Sequence, residues 1–124
     1  MMNLVFKGLI VGLAVTTLRG VAEANTLYIK NNDTAQVHIL VEPGSGTVAP
    51  NPTSLKQVVK PSEEITLTVN KEFFDNAETF TVKGSVKVPS SNNKCGPLSF
   101  DHDYKIVFIS GKLGTVICTY EVID

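Results

Sequence analysis

The sequence predicts an all-β fold in which about seven short antiparallel strands form a two-layer sandwich. Apolar and polar residues alternate with period two along most of residues 26–123, which is typical of strands with one buried face. No segment of this region keeps a helical spacing of apolar residues for longer than one turn. Clusters of Asn, Asp, Gly, Pro and Ser separate the apolar runs, as expected for connections between strands.

The first 24 residues have the organisation of a signal peptide. Lys7 precedes the uncharged apolar segment 8–18, Arg19 follows it, and Ala22-Glu23-Ala24 is a small-x-small cleavage site. An apolar segment of this length rises about 16 Å as a helix, roughly half of the hydrocarbon core of a bilayer. We therefore expect cleavage between Ala24 and Asn25, an exported protein that is periplasmic or secreted, and no stable membrane span after cleavage. The alternative is a buried N-terminal helix.

The charge of residues 25–124 predicts no nucleic-acid partner. This part of the chain holds nine Lys, no Arg and eleven acidic residues. It therefore lacks the basic excess that is typical of nucleic-acid binding. Arg is also the side chain best suited to bidentate phosphate recognition.

The predicted strands follow one another along the chain with short connections. The pattern places strands at 26–30, 35–42, 55–60, 65–69, 79–88, 103–109 and 115–123. Longer loops are expected at 43–53 and 89–99, where Pro and Gly interrupt the alternation. Asn70 is expected to cap one helical turn, with Phe73 or Phe74 closing an end of the core, and Gly84 to mark a bulge or bend.

Alternation also predicts which side chains form the core. Every second residue of a strand points to the same face, and the strand at 103–109 is apolar on both faces, so it should be central. The inward set is Val37, Ile39, Val41, Ile65, Leu67, Val69, Phe80, Val82, Ile106 and Phe108.

Seven strands in one hundred residues are typical of an immunoglobulin-like sandwich, with a small barrel as the alternative. On its strand pattern and on the turns Asn31-Asn32-Asp33-Thr34 and 60–64, the region from Thr26 to Ile123 resembles small exported bacterial proteins with immunoglobulin-like sandwiches. The Cys…Trp…Cys spacing of true immunoglobulin domains is absent. The segment 101–104 is similar to their tyrosine corner, without the Cys two residues later.

Cys95 and Cys118 are expected to form a disulfide. They are the two cysteines of the chain, and an even number in an exported protein predicts pairing. The bridge would close a loop of 24 residues and contribute about 3 kcal/mol on the chain-entropy model. The alternative, a redox-active or metal-binding thiol pair, has no Cys-x-x-Cys motif to support it.

The two histidines provide a metal-binding alternative. His38, Asp101, His102 and Asp103 carry ligand atoms suited to copper or zinc, which usually take three or four ligands. The simpler interpretation is a solvated turn at 101–103 and a half-exposed His38 in mid-strand. We therefore expect no metal or cofactor, and a periplasmic metal-handling protein is the alternative function.

No motif in the sequence indicates an enzyme. The residue types of a hydrolase triad are present in Ser99, Asp101 and His102, but there is no Gly-x-Ser-x-Gly elbow, so a small hydrolase is a remote alternative.

Long loops on a rigid sandwich often carry binding sites. The sequence therefore favours an exported, non-enzymatic binding protein that recognises a protein or a surface glycan.

Overall fold

A computed structural model describes residues 24–44, 54–74 and 76–124 of the chain. This part is all-β and contains eight strands. The strands are β1 (Ala24–Asn32), β2 (Val37–Pro43), β3 (Leu55–Val59), β4 (Glu64–Asn70), β5 (Thr79–Ser85), β6 (Lys94–Ser99), β7 (Tyr104–Ser110) and β8 (Val116–Val122). Two short 3-10 turns, Lys71–Phe74 and Lys112–Gly114, follow β4 and β7.

The strands form two four-stranded sheets that pack face to face. Sheet A has the order β4-β1-β7-β8 and sheet B the order β3-β2-β5-β6. The predicted all-antiparallel pairing is wrong at one place, because β1 and β7 are parallel. The turn after β1 carries the chain into the other sheet instead of forming a hairpin, so β1 takes β4 and β7 as neighbours.

A buried polar cluster fixes this change of sheet. The side-chain amide of Asn31 donates to the carbonyl oxygens of Ala35 and Val59, both at 2.9 Å, and its oxygen accepts the N–H of Asp33. Asp33 in turn accepts the hydroxyl of Ser110 at 3.0 Å. Because buried polar groups are costly unless hydrogen-bonded, this cluster holds the start of β2 against the ends of β3 and β7.

The predicted inward set lies between the sheets. Eight of its ten members, all except Ile65 and Leu67, are buried. Ile65 and Leu67 pack against the core but are partly exposed, because β4 is an edge strand of sheet A. The strand predicted to be central is β7, which lies between β1 and β8.

The loop predicted at 89–99 contains a strand instead, since Lys94–Ser99 is β6 and pairs with β5. Pro97, which argued against a strand, lies at the outer edge of sheet B, where its missing N–H removes no ladder bond. Gly96 has φ of 140°, a conformation that glycine adopts without strain. This edge strand raises the strand count to eight, above the predicted seven.

The predicted helical turn is present after β4. The side chain of Asn70 accepts the N–H of Glu72 at 2.9 Å, as a cap does. Of the two candidate phenylalanines, Phe74 is fully buried and closes the end of the core, whereas Phe73 is 42 % exposed. The ring of Phe74 packs against that of Phe100 with centroids 6.2 Å apart.

Candidate binding face on sheet B

The two cysteines lie at disulfide distance, as the sequence predicts. Cys95 in β6 and Cys118 in β8 are bonded, with Cα atoms 5.6 Å apart. Each is on an edge strand, so the disulfide joins the two sheets along the side where β6 faces β8. A hydrogen bond from the N–H of Cys118 to the carbonyl oxygen of Asn92, at 2.9 Å, lies beside it. The disulfide therefore cross-links the two sheets at their edges, as a structural disulfide does.

The segment 101–103 forms a turn whose side chains point to separate partners. Asp103 accepts the backbone N–H of Thr26 at 2.8 Å and so ties the turn to β1. The imidazole of His102 lies 3.1 Å from a carboxylate oxygen of Asp124, on the surface. Asp101 is exposed. Asp103 and His102 thus bind different partners, and Asp101 is exposed to solvent, so the three side chains do not converge on one point.

His38 lies far from this turn. Ser110, the last residue of β7, bonds to Asp33 in the turn that leads into β2, and His38 is the second residue of β2. The C-terminal end of β7 is therefore near His38. His102 lies two residues before the N-terminal end of β7. The length of β7 therefore separates the two histidines, about 20 Å at 3.3 Å per residue. In the part of the chain that the structure describes, no three His, Cys, Asp or Glu side chains are grouped as a metal site requires.

The hydroxyl of Ser99 belongs to a structural arrangement. It accepts the N–H of Asp101 at 3.3 Å and lies 3.4 Å from the hydroxyl of Tyr104. That tyrosine donates to the carbonyl oxygen of Ser99 and accepts its N–H. A tyrosine hydroxyl bonded to backbone a few residues upstream is the pattern of a tyrosine corner. His102 is paired with Asp124, so the three residues do not form a triad.

Two other predictions concern segments that are described only in part. Residues 1–23 of the predicted signal peptide and residues 45–53 of the first predicted long loop lie outside the described residues. Ala24 is the first residue of β1 and is paired with Asn70. Asn25 is 4 % exposed, and its side-chain amide has no hydrogen-bond partner among the described residues.

The outer face of sheet B is concave at two neighbouring places. A groove of about 460 Å³ is lined by His38, Leu40, Lys56, Gln57, Val58 and Ser85. A second groove, of about 420 Å³, adjoins it at Ser85 and extends to Lys83, Asn93 and Lys94. The first groove is lined by strand residues, so it is held by the core beneath it. The second is lined by β5 and β6 and by the connection between them, including Val88 and Pro89.

Strand register aligns three lysines across this face. Lys56 in β3 is opposite Leu40 in β2, Leu40 is opposite Lys83 in β5, and Lys83 is opposite Lys94 in β6. These four residues form one row that crosses all four strands, named here the lysine row. Neighbouring strands are about 4.8 Å apart, so Lys56 and Lys94 are about 14 Å apart at the backbone.

Sequence reasoning identified one residue of this face, His38, and missed the others. Alternation assigns Leu40 and Glu42 to the outward face of β2, but it cannot show which residue of β3 or β5 lies beside them. The sequence offered one signal of a positively charged face. The outward positions of β5 and β6 hold Lys83 and Lys94 and no acidic residue.

No helix within the described ranges is both long and apolar enough to cross a membrane. Comparison of the chain with family models, with curated proteins and with solved structures found no match in any of the three.

Proposed function

We propose that the protein is an exported, non-enzymatic binding protein that holds a protein or a surface glycan on the outer face of sheet B. The observation that carries this proposal is the pair of grooves that share Ser85 as a lining residue, about 460 Å³ on one side and about 420 Å³ on the other. Rigid strands that present a concave surface bind with little loss of conformational entropy.

The disulfide supports the export part of this proposal. A bond between Cys95 and Cys118 is compatible with an oxidising compartment such as the periplasm or the cell exterior, where disulfides persist. The signal-peptide pattern of residues 1–24 points the same way. The immunoglobulin-like character of the sandwich is also part of the proposal, and the tyrosine-corner hydrogen bonds of Tyr104 support it.

Blocking the groove tests the proposal. Ser85 is exposed and lines both halves of the groove, so Ser85→Trp fills the groove without entering the core. Thr66→Trp places the same ring on the exposed outer face of β4 in sheet A and serves as the matched control. Binding is measured on a glycan array and on fractionated envelope proteins.

We expect ligands of the wild-type chain to be retained by Thr66→Trp and lost by Ser85→Trp, with both variants folded by circular dichroism. Equal binding by the two variants would show that the groove is not the site. If the wild-type chain binds no glycan and no envelope protein, the binding function itself is wrong.

A further inference from the structure

We propose that the lysine row is a binding site for an acidic polysaccharide, one whose carboxylate or sulfate groups repeat along the chain. This inference rests on the proposed function and specifies its ligand. The starting observation is that Lys83 and Lys94 are directly opposite each other on neighbouring antiparallel strands. Like charges in that arrangement repel each other and destabilise the sheet.

No carboxylate compensates this repulsion in the described residues. Within the described ranges, no salt bridge and no hydrogen bond joins a lysine of the row to an acidic side chain. Glu42 is the acidic residue on the outward face of these strands. It is opposite Thr81 and diagonal from Lys83, within reach of a long side chain, but no ion pair joins the two, and one carboxylate does not balance three lysines. The face therefore has an excess of positive charge although the chain as a whole carries a net charge of −1.

The row suits a polymer better than a single small anion. Its three ammonium groups extend over about 14 Å of backbone, so a small anion would contact one or two of them, whereas a chain of repeating charges contacts all three. The row also crosses the groove, whose outward-facing polar side chains include His38 and Ser85. These side chains donate and accept hydrogen bonds, as the hydroxyl groups of sugars require.

The same face is poorly suited to nucleic acid or to a protein surface. Residues 25–124 contain no Arg, and the outward positions of β2, β3, β5 and β6 that carry the row hold no aromatic residue. Single-stranded nucleic acids are usually bound by aromatic stacking, and protein interfaces depend on Trp, Tyr and Arg. Lysine, a flexible point charge, is sufficient for a hydrated acidic polymer.

The test measures binding of the full chain to four probes by titration calorimetry: alginate, dextran sulfate, uncharged dextran and a single-stranded DNA oligonucleotide. The variant is Lys83→Gln/Lys94→Gln. Its matched control is Lys30→Gln/Lys105→Gln, which removes the same charge from the outward face of β1 and β7 in sheet A. We expect alginate or dextran sulfate to bind, and uncharged dextran and DNA to bind at least about tenfold more weakly.

The row variant should lose about tenfold in affinity or more, because two contacts to the polymer are removed together, and the control should stay close to wild type. Raising the ionic strength from about 0.01 M to about 1 M shortens the screening length from about 30 Å to about 3 Å, so binding of the wild-type chain should disappear. The row variant should melt at the wild-type temperature or above, because a repulsive pair has been removed.

Equal losses in the row variant and the control would mean that net charge, not the row, attracts the polymer, and would overturn the proposal. Tight DNA binding that depends on the row would assign the site to nucleic acid instead. If acidic polymers do not bind while Ser85→Trp still abolishes binding of another ligand, the lysine-row inference is wrong and the groove remains the site.

Discussion

Gly84 in the middle of β5 is required by close packing, and replacing it by alanine should destabilise the domain. A Cβ built on Gly84 lies 2.7 Å from Cδ1 of Phe108 and 2.9 Å from Cγ1 of Val37. Both neighbours are fully buried, so neither side chain can rotate into solvent. The bulge predicted at Gly84 is not there: the pairing with β2 runs through this residue, and the register shift of β5 lies between Phe80 and Val82. Glycine is needed at this position because the ring of Phe108 occupies the space of a side chain.

The magnitude follows from two opposing effects. Overpacking a filled core costs typically about 1–3 kcal/mol, whereas Gly to Ala stabilises by about 0.4–1 kcal/mol through the unfolded chain. We expect a net loss of about 1–2 kcal/mol in the free energy of unfolding for Gly84→Ala. In a domain of this size each kcal/mol lowers the melting temperature by about 4–8 °C.

A double-mutant cycle makes the reasoning specific to the contact. Phe108→Ala alone should cost about 3–5 kcal/mol. In Gly84→Ala/Phe108→Ala the new methyl group enters space that the ring has left, so the double variant should be more stable than the sum of the single changes by about 1–3 kcal/mol. Urea unfolding followed by far-ultraviolet circular dichroism measures the free energy of unfolding of each variant. The exposed Ser85→Ala serves as a control and should change that free energy by less than about 0.5 kcal/mol. A stabilised Gly84→Ala, or additivity within about 0.5 kcal/mol, would refute the packing argument.

Two further predictions concern the disulfide and the buried polar cluster. Reduction of the Cys95–Cys118 bond should lower stability by about 3 kcal/mol and the melting temperature by about 12–24 °C; an unchanged melting curve of the reduced protein would contradict this. Asn31→Ala leaves the buried partners of its amide without hydrogen bonds, at about 1–3 kcal/mol for each group. It should lower the free energy of unfolding by at least about 2 kcal/mol in urea, while the exposed neighbour Asn32→Ala should change it by less than about 0.5 kcal/mol; similar values for the two would be inconsistent with the cluster's role.

The inward face of most strands could be predicted from the sequence because alternation is a local property. A residue such as Phe80 or Ile106 is assigned to the buried face by its nearest neighbours in the chain, and the structure confirms both. The cap at Asn70 is similarly local, since it depends on residues within one turn. The pairing of Cys95 with Cys118 followed from the presence of two cysteines alone.

Local patterns fail where packing between distant segments decides the outcome. Pro97 interrupts the alternation, yet β6 forms because the core-facing Cys95 and Leu98 are buried and the strand can pair with β5 at the sheet edge. At the other edge, Tyr120 alternates in phase with the buried Val116 but is 50 % exposed. An interrupted pattern thus forms a buried strand at one edge, while a regular pattern at the other edge leaves an aromatic residue exposed.

The sequence by itself determined which side chains share one face of a regular strand, since the period of a strand is fixed by backbone geometry. Only the tertiary structure decided which strands are neighbours. The parallel pairing of β1 with β7 and the alignment of Lys56, Lys83 and Lys94 depend on register between segments far apart in the chain. That register is set by the packing of the whole core and by the Asn31 cluster, and no local pattern of residues encodes it.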